Sequence, residues 1–144
     1  MIFQKIINYV QTDLLLADDF LATADNRAIV NEYAVSLPGY YKDILYNEYS
    51  LNPWKTATVN LFTGGIGSIL EGDYLTGIIV EVGTLLSYAA MAYTFAPQEY
   101  ESKQTFILIS KIGSVSFTLL GIGLPFVKSY FHNSKLKNAL GIEN

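Results

Sequence analysis

Apolar residues are concentrated in the second half of the chain, in three segments separated by short polar stretches. The segments cover residues 52–70, 74–96 and 105–127, and the charged residues within them are Lys55, Glu81 and Lys111, one in each. A helix needs about 20 apolar residues to cross the hydrocarbon core of a bilayer. The second and third segments are therefore long enough to span a membrane. The first is marginal and rich in glycine, and it either spans or enters and turns back.

The flanking regions are more polar. Within the polar N-terminal region, residues 1–51, the stretch 2–22 has the apolar spacing of an amphipathic helix. Its apolar positions are Ile2, Ile6, Val10, Leu14, Leu15 and Phe20. Residues 128–144 contain several lysines and are interpreted as a basic polar tail. The pattern predicts an all-α membrane protein with about three transmembrane helices at 52–70, 74–96 and 105–127, and an amphipathic, acidic, helical N-terminal region. A soluble bundle with unusually apolar helices is the alternative.

Composition narrows the possible functions. The chain is 51% hydrophobic and 15% charged, against roughly 25% charged in typical soluble domains. A net charge of −4 without a basic run argues against nucleic acid as a partner. The absence of cysteine excludes disulfides and thiolate sites, and the single histidine, His132, excludes a multi-histidine metal site. We expect no enzyme activity, no cofactor and no metal, and no signal peptide is evident because the first apolar run ends at Gln11.

Aromatic residues beside the apolar segments are candidate anchors at the membrane–water interface. Tyr49 and Trp54 precede the first segment and Tyr74 begins the second. Tryptophan and tyrosine are enriched at this depth because their rings are apolar and their polar atoms reach water. The lysines that follow the third segment predict a C-terminus on the same side as the 71–73 turn, which is the cytoplasmic side if the host is an inner membrane.

Glu81 and Lys111 are the charged residues within the two longest segments, and a charge at membrane depth marks a candidate functional site. An antiparallel pairing of the two segments would offset them by roughly 13 Å, which argues against a direct ion pair. Glu81 shares a helix face with Thr84, and Lys111 shares one with Ser114 and Thr118. These five residues are predicted to line a pore or cavity. For Glu81, a satisfied structural contact or a pair across subunits stays open.

Small residues at intervals of four are typical of helices that pack closely in membranes. They serve either packing within one chain or an interface between copies. The predicted packing and turn positions are Gly64, Gly65, Gly67, Ser68, Gly72, Asp73, Gly83, Ser87, Gly113 and Gly121.

Two stretches resemble a known family. Residues 60–73, NLFTGGIGSILEGD, and residues 124–140, LPFVKSYFHNSKLKNAL, are similar to sequences of the Borrelia thirteen-kilodalton surface porin family and its plasmid-borne paralogues. The resemblance covers roughly residues 45–140, and residues 1–44 have no counterpart. It implies a spirochaetal outer-membrane protein, helical with about three spans, that forms channels and is exposed at the cell surface.

The leading functional hypothesis is an oligomeric channel for ions or small solutes in a lipid bilayer. Self-association is expected because about three helices cannot enclose a wide lumen alone. The alternative, from a different functional class, is a non-conducting membrane scaffold or surface antigen.

Overall fold

The computed structural model describes residues 2–18, 20–96 and 100–142, without the side chains of 100–102. Over these residues the chain is all-α, as predicted, with no strand. The described residues form seven helices: α1 (Ile2–Ala17), α2 (Ala24–Ala34), α3 (Gly39–Tyr49), α4 (Pro53–Thr63), α5 (Ile66–Leu70), α6 (Tyr74–Tyr93) and α7 (Tyr100–Leu140). The polar loop predicted at 97–104 is only partly described: residues 97–99 lie outside the described residues, and residues 100–104 are not a loop but the first part of α7.

The chain forms two compact units. Unit 1 contains Met1–Leu51 and Ser129–Asn144, and unit 2 contains Asn52–Lys128. Helix α7 therefore supplies residues to both. Each unit is built around its own set of packed helices, and they are described in turn.

Unit 1 is a small helical assembly with an apolar core. Leu45, Leu136 and Leu140 are completely buried at its centre, together with Val30. Helix α2 begins at Thr23, whose hydroxyl accepts a hydrogen bond from the Asn26 N–H at 3.2 Å and so satisfies one of the unpaired donors of the first turn.

Helix α1 packs into unit 1 through a face that buries Thr12 and Leu16. The predicted apolar stripe is divided by the fold. Ile2, Ile6, Val10 and Leu14 lie on another face and are exposed, and Phe3 and Ile7 are exposed as well. Leu15 and Phe20 are partly buried against the core.

The segment interpreted as a basic polar tail differs from that interpretation. It is helical to Leu140, and it buries Leu136, Ala139 and Leu140 in the core of unit 1. The apolar residues fall at helical spacing, so the lysines between them lie on the other faces. His132 belongs to this segment, and its Nε2 lies 2.9 Å from the Tyr49 carbonyl oxygen.

Unit 2 begins with a helical hairpin made by α4 and α5. Asn52 caps α4 by accepting hydrogen bonds from the N–H groups of Trp54 and Lys55, and Pro53 occupies the first turn, where its missing N–H costs nothing. The helix ends at Gly64, whose φ of 75° is left-handed, and the chain reverses through Gly65 at φ 144°. Only glycine adopts this pair of conformations without strain.

Helix α5 then returns along α4. The Ser68 N–H donates to the Asn60 side chain at 3.0 Å, and the Thr56 hydroxyl donates to the Glu71 carboxylate. Residues near the start of α4 thus lie beside the end of α5. The first apolar segment is thus two short helices that reverse direction and not one continuous helix, which is the geometry of the alternative that turns back.

Two helices of the described chain are long and apolar enough to cross a membrane: α6 and the Lys103–Leu140 part of α7, with mean hydropathies of 1.6 and 1.8. The structure thus has two candidate spans where the sequence predicted about three. Only 22% of the apolar stretch of α6 and 11% of that of α7 is buried. Asp73 caps α6 by accepting from the Thr76 N–H, and its other oxygen lies 3.6 Å from the Lys128 ammonium.

Candidate functional site

Asn60 is buried and connects three helices of unit 2. Its Nδ2 donates to the Ser68 hydroxyl at 2.9 Å and to the Gly121 carbonyl at 2.8 Å, while its Oδ1 accepts from the Ser68 N–H. The amide can donate two hydrogen bonds and accept two, and both donors and one of the acceptor positions are used. In an apolar segment such a satisfied amide fixes α5 and α7 against α4, because leaving any of these groups unpaired would be costly.

The bond to Gly121 has a specific cause in the sequence of α7. Within a helix the carbonyl of residue 121 would accept from the N–H of residue 125, but that residue is Pro125 and has no N–H. Asn60 supplies the donor that proline lacks. Gly121 also lets α6 lie close to α7, since a Cβ there would lie 3.1 Å from a methyl carbon of Val80.

The tip of the hairpin packs on the middle of α6. A Cβ at Gly65 would clash with the carbonyl oxygen of Gly77, and one at Gly64 would lie 3.2 Å from Glu81 Oε2. At Gly77, in turn, a Cβ would overlap Ile69 of α5. Because glycine has no side chain, the backbone of the hairpin tip packs directly against the backbone of α6.

A cavity of about 170 Å³ lies beside this tip. Helices α4, α6 and α7 and the turn after α4 form its walls. The lining residues are Asn60, Leu61, Phe62, Thr63, Gly64, Val80, Glu81, Thr84, Leu85, Tyr88, Phe117 and Thr118. The polar groups of the lining are therefore one carboxylate, one amide, three threonine hydroxyls and a tyrosine, and the remaining lining residues are apolar or glycine.

Glu81 is the charged residue of this lining. Its Oε2 is buried and has no hydrogen-bond partner among the described residues. No lysine, arginine or histidine lines the cavity, so no basic side chain of the lining pairs with the carboxylate. A buried carboxylate oxygen without a partner is unfavourable in an apolar environment, which makes this atom the clearest sign of a site in the described chain.

The structure separates the five residues that the sequence placed on pore-lining faces. Glu81, Thr84 and Thr118 line the cavity together. Lys111 is exposed on α7 and is not part of that lining. Ser114 lies with Thr118 in a shallow surface groove that Val115 and Leu119 complete.

The predicted packing residues make contacts inside the chain. A Cβ at Gly83 would overlap the Phe117 ring, and one at Gly113 would overlap the Ser87 hydroxyl. The Ser110 hydroxyl donates to the Ser87 carbonyl at 2.9 Å. These contacts pack α6 against α7. Gly67 lies against the Thr56 carbonyl, whereas Gly72, at φ 79°, is a turn residue with open space around it.

The candidate anchors differ from one another. Trp54 is 69% exposed and stacks edge-on against Phe126, with ring centroids 4.9 Å apart, and Tyr74 is also exposed. Tyr49 does not have the free hydroxyl expected of an interfacial anchor. It donates to Asp13 at 2.7 Å inside unit 1, and burial, with this hydrogen bond, raises the pKa of the Tyr49 phenol.

Sequence reasoning missed Asn60 and Pro125. A lone asparagine inside an apolar segment, and a proline within a long helical one, were both visible signals. Neither showed that the two residues act on the same carbonyl group, because that requires the hairpin to be placed against α7.

Comparison with known proteins gives no relative: no family model, curated protein or solved structure matches the chain. The resemblance to the spirochaetal porin family therefore stays a prediction.

Proposed function

We propose that unit 2 is embedded in a lipid bilayer, with α6 and residues 105–127 of α7 crossing it and the α4–α5 hairpin entering and returning. The support is the exposure of large apolar side chains on both long helices, such as Leu86 at 65% and Leu119 at 64%. In a soluble protein, surfaces of this kind are covered by a partner. In a bilayer they face lipid.

The hairpin agrees with this proposal. Non-helical backbone at membrane depth is tolerated only where protein covers it or where it lines a wet cavity. The turn at Gly64 and Gly65 meets both conditions, since it packs on α6 and Gly64 lines the cavity. The paired Asp73 and Lys128 lie at the end of the unit where charged groups would reach the membrane surface.

We further propose that the protein forms an oligomeric channel for ions or small solutes, and that the cavity beside Glu81 is part of the path. The observation that carries this is the buried, unpartnered Oε2 of Glu81 in a wall with threonine hydroxyls. Polar and ionisable groups at membrane depth commonly mark ion pathways. The cavity beside Glu81, at about 170 Å³, is too small to form a continuous path across a bilayer, so conduction requires more than one copy.

The assignment to a spirochaetal outer membrane rests on the resemblance of residues 60–73 and 124–140 alone. The competing function, a non-conducting membrane scaffold or surface antigen, is favoured by one observation. The apolar stripe of α1, from Ile2 to Leu14, is exposed and could serve contact with a partner rather than conduction.

Single-channel recording of the purified protein in planar bilayers tests the channel proposal. We expect discrete conductance steps whose size changes in Glu81→Gln, which keeps the shape of the side chain and removes its charge. Glu32→Gln is the matched control, because Glu32 is exposed on α2 of unit 1, and its steps should equal those of the wild type. Silent bilayers with verified incorporation would favour the scaffold, and equal steps in all three proteins would remove Glu81 from the path.

A further inference from the structure

We propose that the cavity beside Glu81 binds one monovalent alkali cation, held between the Glu81 carboxylate and the C-terminal end of α4. The inference rests on the proposed function, because it names the class of ion that a membrane-embedded unit 2 would admit. Three features of the cavity favour a cation of single charge.

The first feature is an uncompensated charge. Glu81 is the carboxylate of the lining, its Oε2 is buried without a partner, and no basic side chain lines the cavity. Coulomb interactions are many times stronger in a low-dielectric interior than in water. A cation in the cavity would satisfy the carboxylate that the chain itself leaves unpaired.

The second feature is the end of α4, whose last turn forms one wall of the cavity. Because the helix stops at Gly64, the carbonyl oxygens of Leu61, Phe62 and Thr63 receive no hydrogen bond from the described residues. The free carbonyls carry the negative end of the helix dipole. In discontinuous membrane helices such carbonyl groups coordinate sodium ions.

The third feature is the number of charges, which favours a monovalent ion. Calcium takes six to eight oxygen ligands, commonly with several carboxylates. Here one carboxylate is combined with neutral hydroxyl groups from Thr84 and Thr118, and the described residues contain no group of three or more acidic, histidine or cysteine side chains. One negative charge among neutral oxygens matches one positive charge.

Thermal unfolding of the detergent-solubilised full chain tests the site without requiring conduction. Choline chloride is replaced stepwise by sodium or potassium chloride at constant ionic strength. A ligand that binds only the folded state raises the melting temperature as its concentration increases. We expect such a rise for the wild type and for the Glu32→Gln control, and a flat response for Glu81→Gln.

Thr84→Val provides a second variant that keeps the volume of the side chain and removes one candidate ligand oxygen. Its half-effect concentration should be roughly tenfold higher, the change that corresponds to one modest ligand interaction. This variant keeps the test valid if Glu81→Gln does not fold.

Two results would overturn the site. One is a wild-type melting temperature that does not distinguish sodium or potassium from choline, which would mean that neither cation binds the folded protein. The other is an equal rise in wild type, Glu81→Gln and Thr84→Val, which would mean that salt acts elsewhere. A cation-dependent melting temperature together with silent bilayers would contradict the channel and leave the binding site standing.

Discussion

The Asn60 amide lies 2.8 Å from the Gly121 carbonyl oxygen and donates to it the hydrogen bond that Pro125 cannot donate. A side chain of the short helix α4 thereby replaces a hydrogen bond that is missing from the long helix α7. This relationship ties the hairpin to α7, and it holds the wall of the cavity in place.

Asn60→Ala should lower the free energy of unfolding by about 2–3 kcal/mol, because the Gly121 carbonyl and the Ser68 groups lose their buried partner. Asn47→Ala, at an exposed position on α3, should change it by less than about 0.5 kcal/mol. In a Pro125→Ala background the backbone N–H returns, so the same Asn60→Ala substitution should cost about 1 kcal/mol less. Denaturant titration in detergent of the wild type, the three single variants and the double variant gives these free energies of unfolding. If the free-energy changes of Asn60→Ala and Pro125→Ala were strictly additive, Asn60 would not be supplying the hydrogen bond that Pro125 lacks.

Labelling of single cysteines tests the proposal that the α4–α5 hairpin enters the membrane and returns. Because the sequence contains no cysteine, only the introduced residue reacts. Lys55→Cys and Tyr74→Cys replace exposed residues in the first turn of α4 and at the start of α6. A membrane-impermeant maleimide added to sealed vesicles should label both from the same side. Lys103→Cys, at the other end of α6–α7, should react from the opposite side. Labelling of positions 55 and 74 from opposite sides would show that residues 52–70 span the membrane.

Gly65→Ala should destabilise unit 2 by about 3 kcal/mol, because the new methyl group meets the Gly77 carbonyl and φ stays at 144°. Gly123→Ala is the contrasting control. Its position in α7 has open space around it, so alanine should stabilise the helix by up to about 1 kcal/mol. Thermal melts in detergent should show a lower melting temperature for Gly65→Ala and an unchanged or higher one for Gly123→Ala. An unchanged melting temperature in Gly65→Ala would mean that the tip does not pack on α6.

The stability of unit 1 should fall in alkaline solution. Burial, the hydrogen bond to Asp13 and the negative charge of that residue raise the Tyr49 pKa in the folded state above its unfolded value, which is about 10. The folded state thus holds this proton more tightly than the unfolded state. The resulting stabilisation is fully present below about pH 10 and is lost as pH rises above it.

Tyr49→Phe should therefore show a smaller loss of stability between neutral and alkaline pH than the wild type. Tyr40→Phe serves as the control, since Tyr40 is 71% exposed and its substitution should leave the alkaline loss unchanged. Denaturant midpoints measured across the pH range provide the comparison. Parallel pH profiles for wild type and Tyr49→Phe would exclude the Tyr49–Asp13 contact as the cause.

The helical class and the two long segments could be predicted from the sequence, because the length of an apolar run depends only on consecutive residues. The reversal at Gly64 and Gly65 was one of two alternatives, since glycine permits the turn without requiring it. The burial of Leu136 and Leu140 was obscured by neighbouring lysines, although the apolar spacing was helical.

The site was only partly accessible to sequence reasoning. Glu81, Thr84 and Thr118 were singled out as polar residues on apolar helices, and all three line one cavity. Lys111 was singled out by the same criterion but lies on an exposed part of α7. The rotation of a helix about its axis, which separates these cases, is fixed by packing contacts such as Gly83 against Phe117, and no local pattern specifies them.

The central claim is that the cavity beside Glu81 belongs to a cation path, and the reversal potential across a planar bilayer with a potassium chloride gradient tests it most directly. We predict a cation-selective potential for the wild type and for Glu32→Gln, and a clearly smaller one for Glu81→Gln. Anion selectivity in the wild type, or a potential that Glu81→Gln leaves unchanged, would contradict the claim.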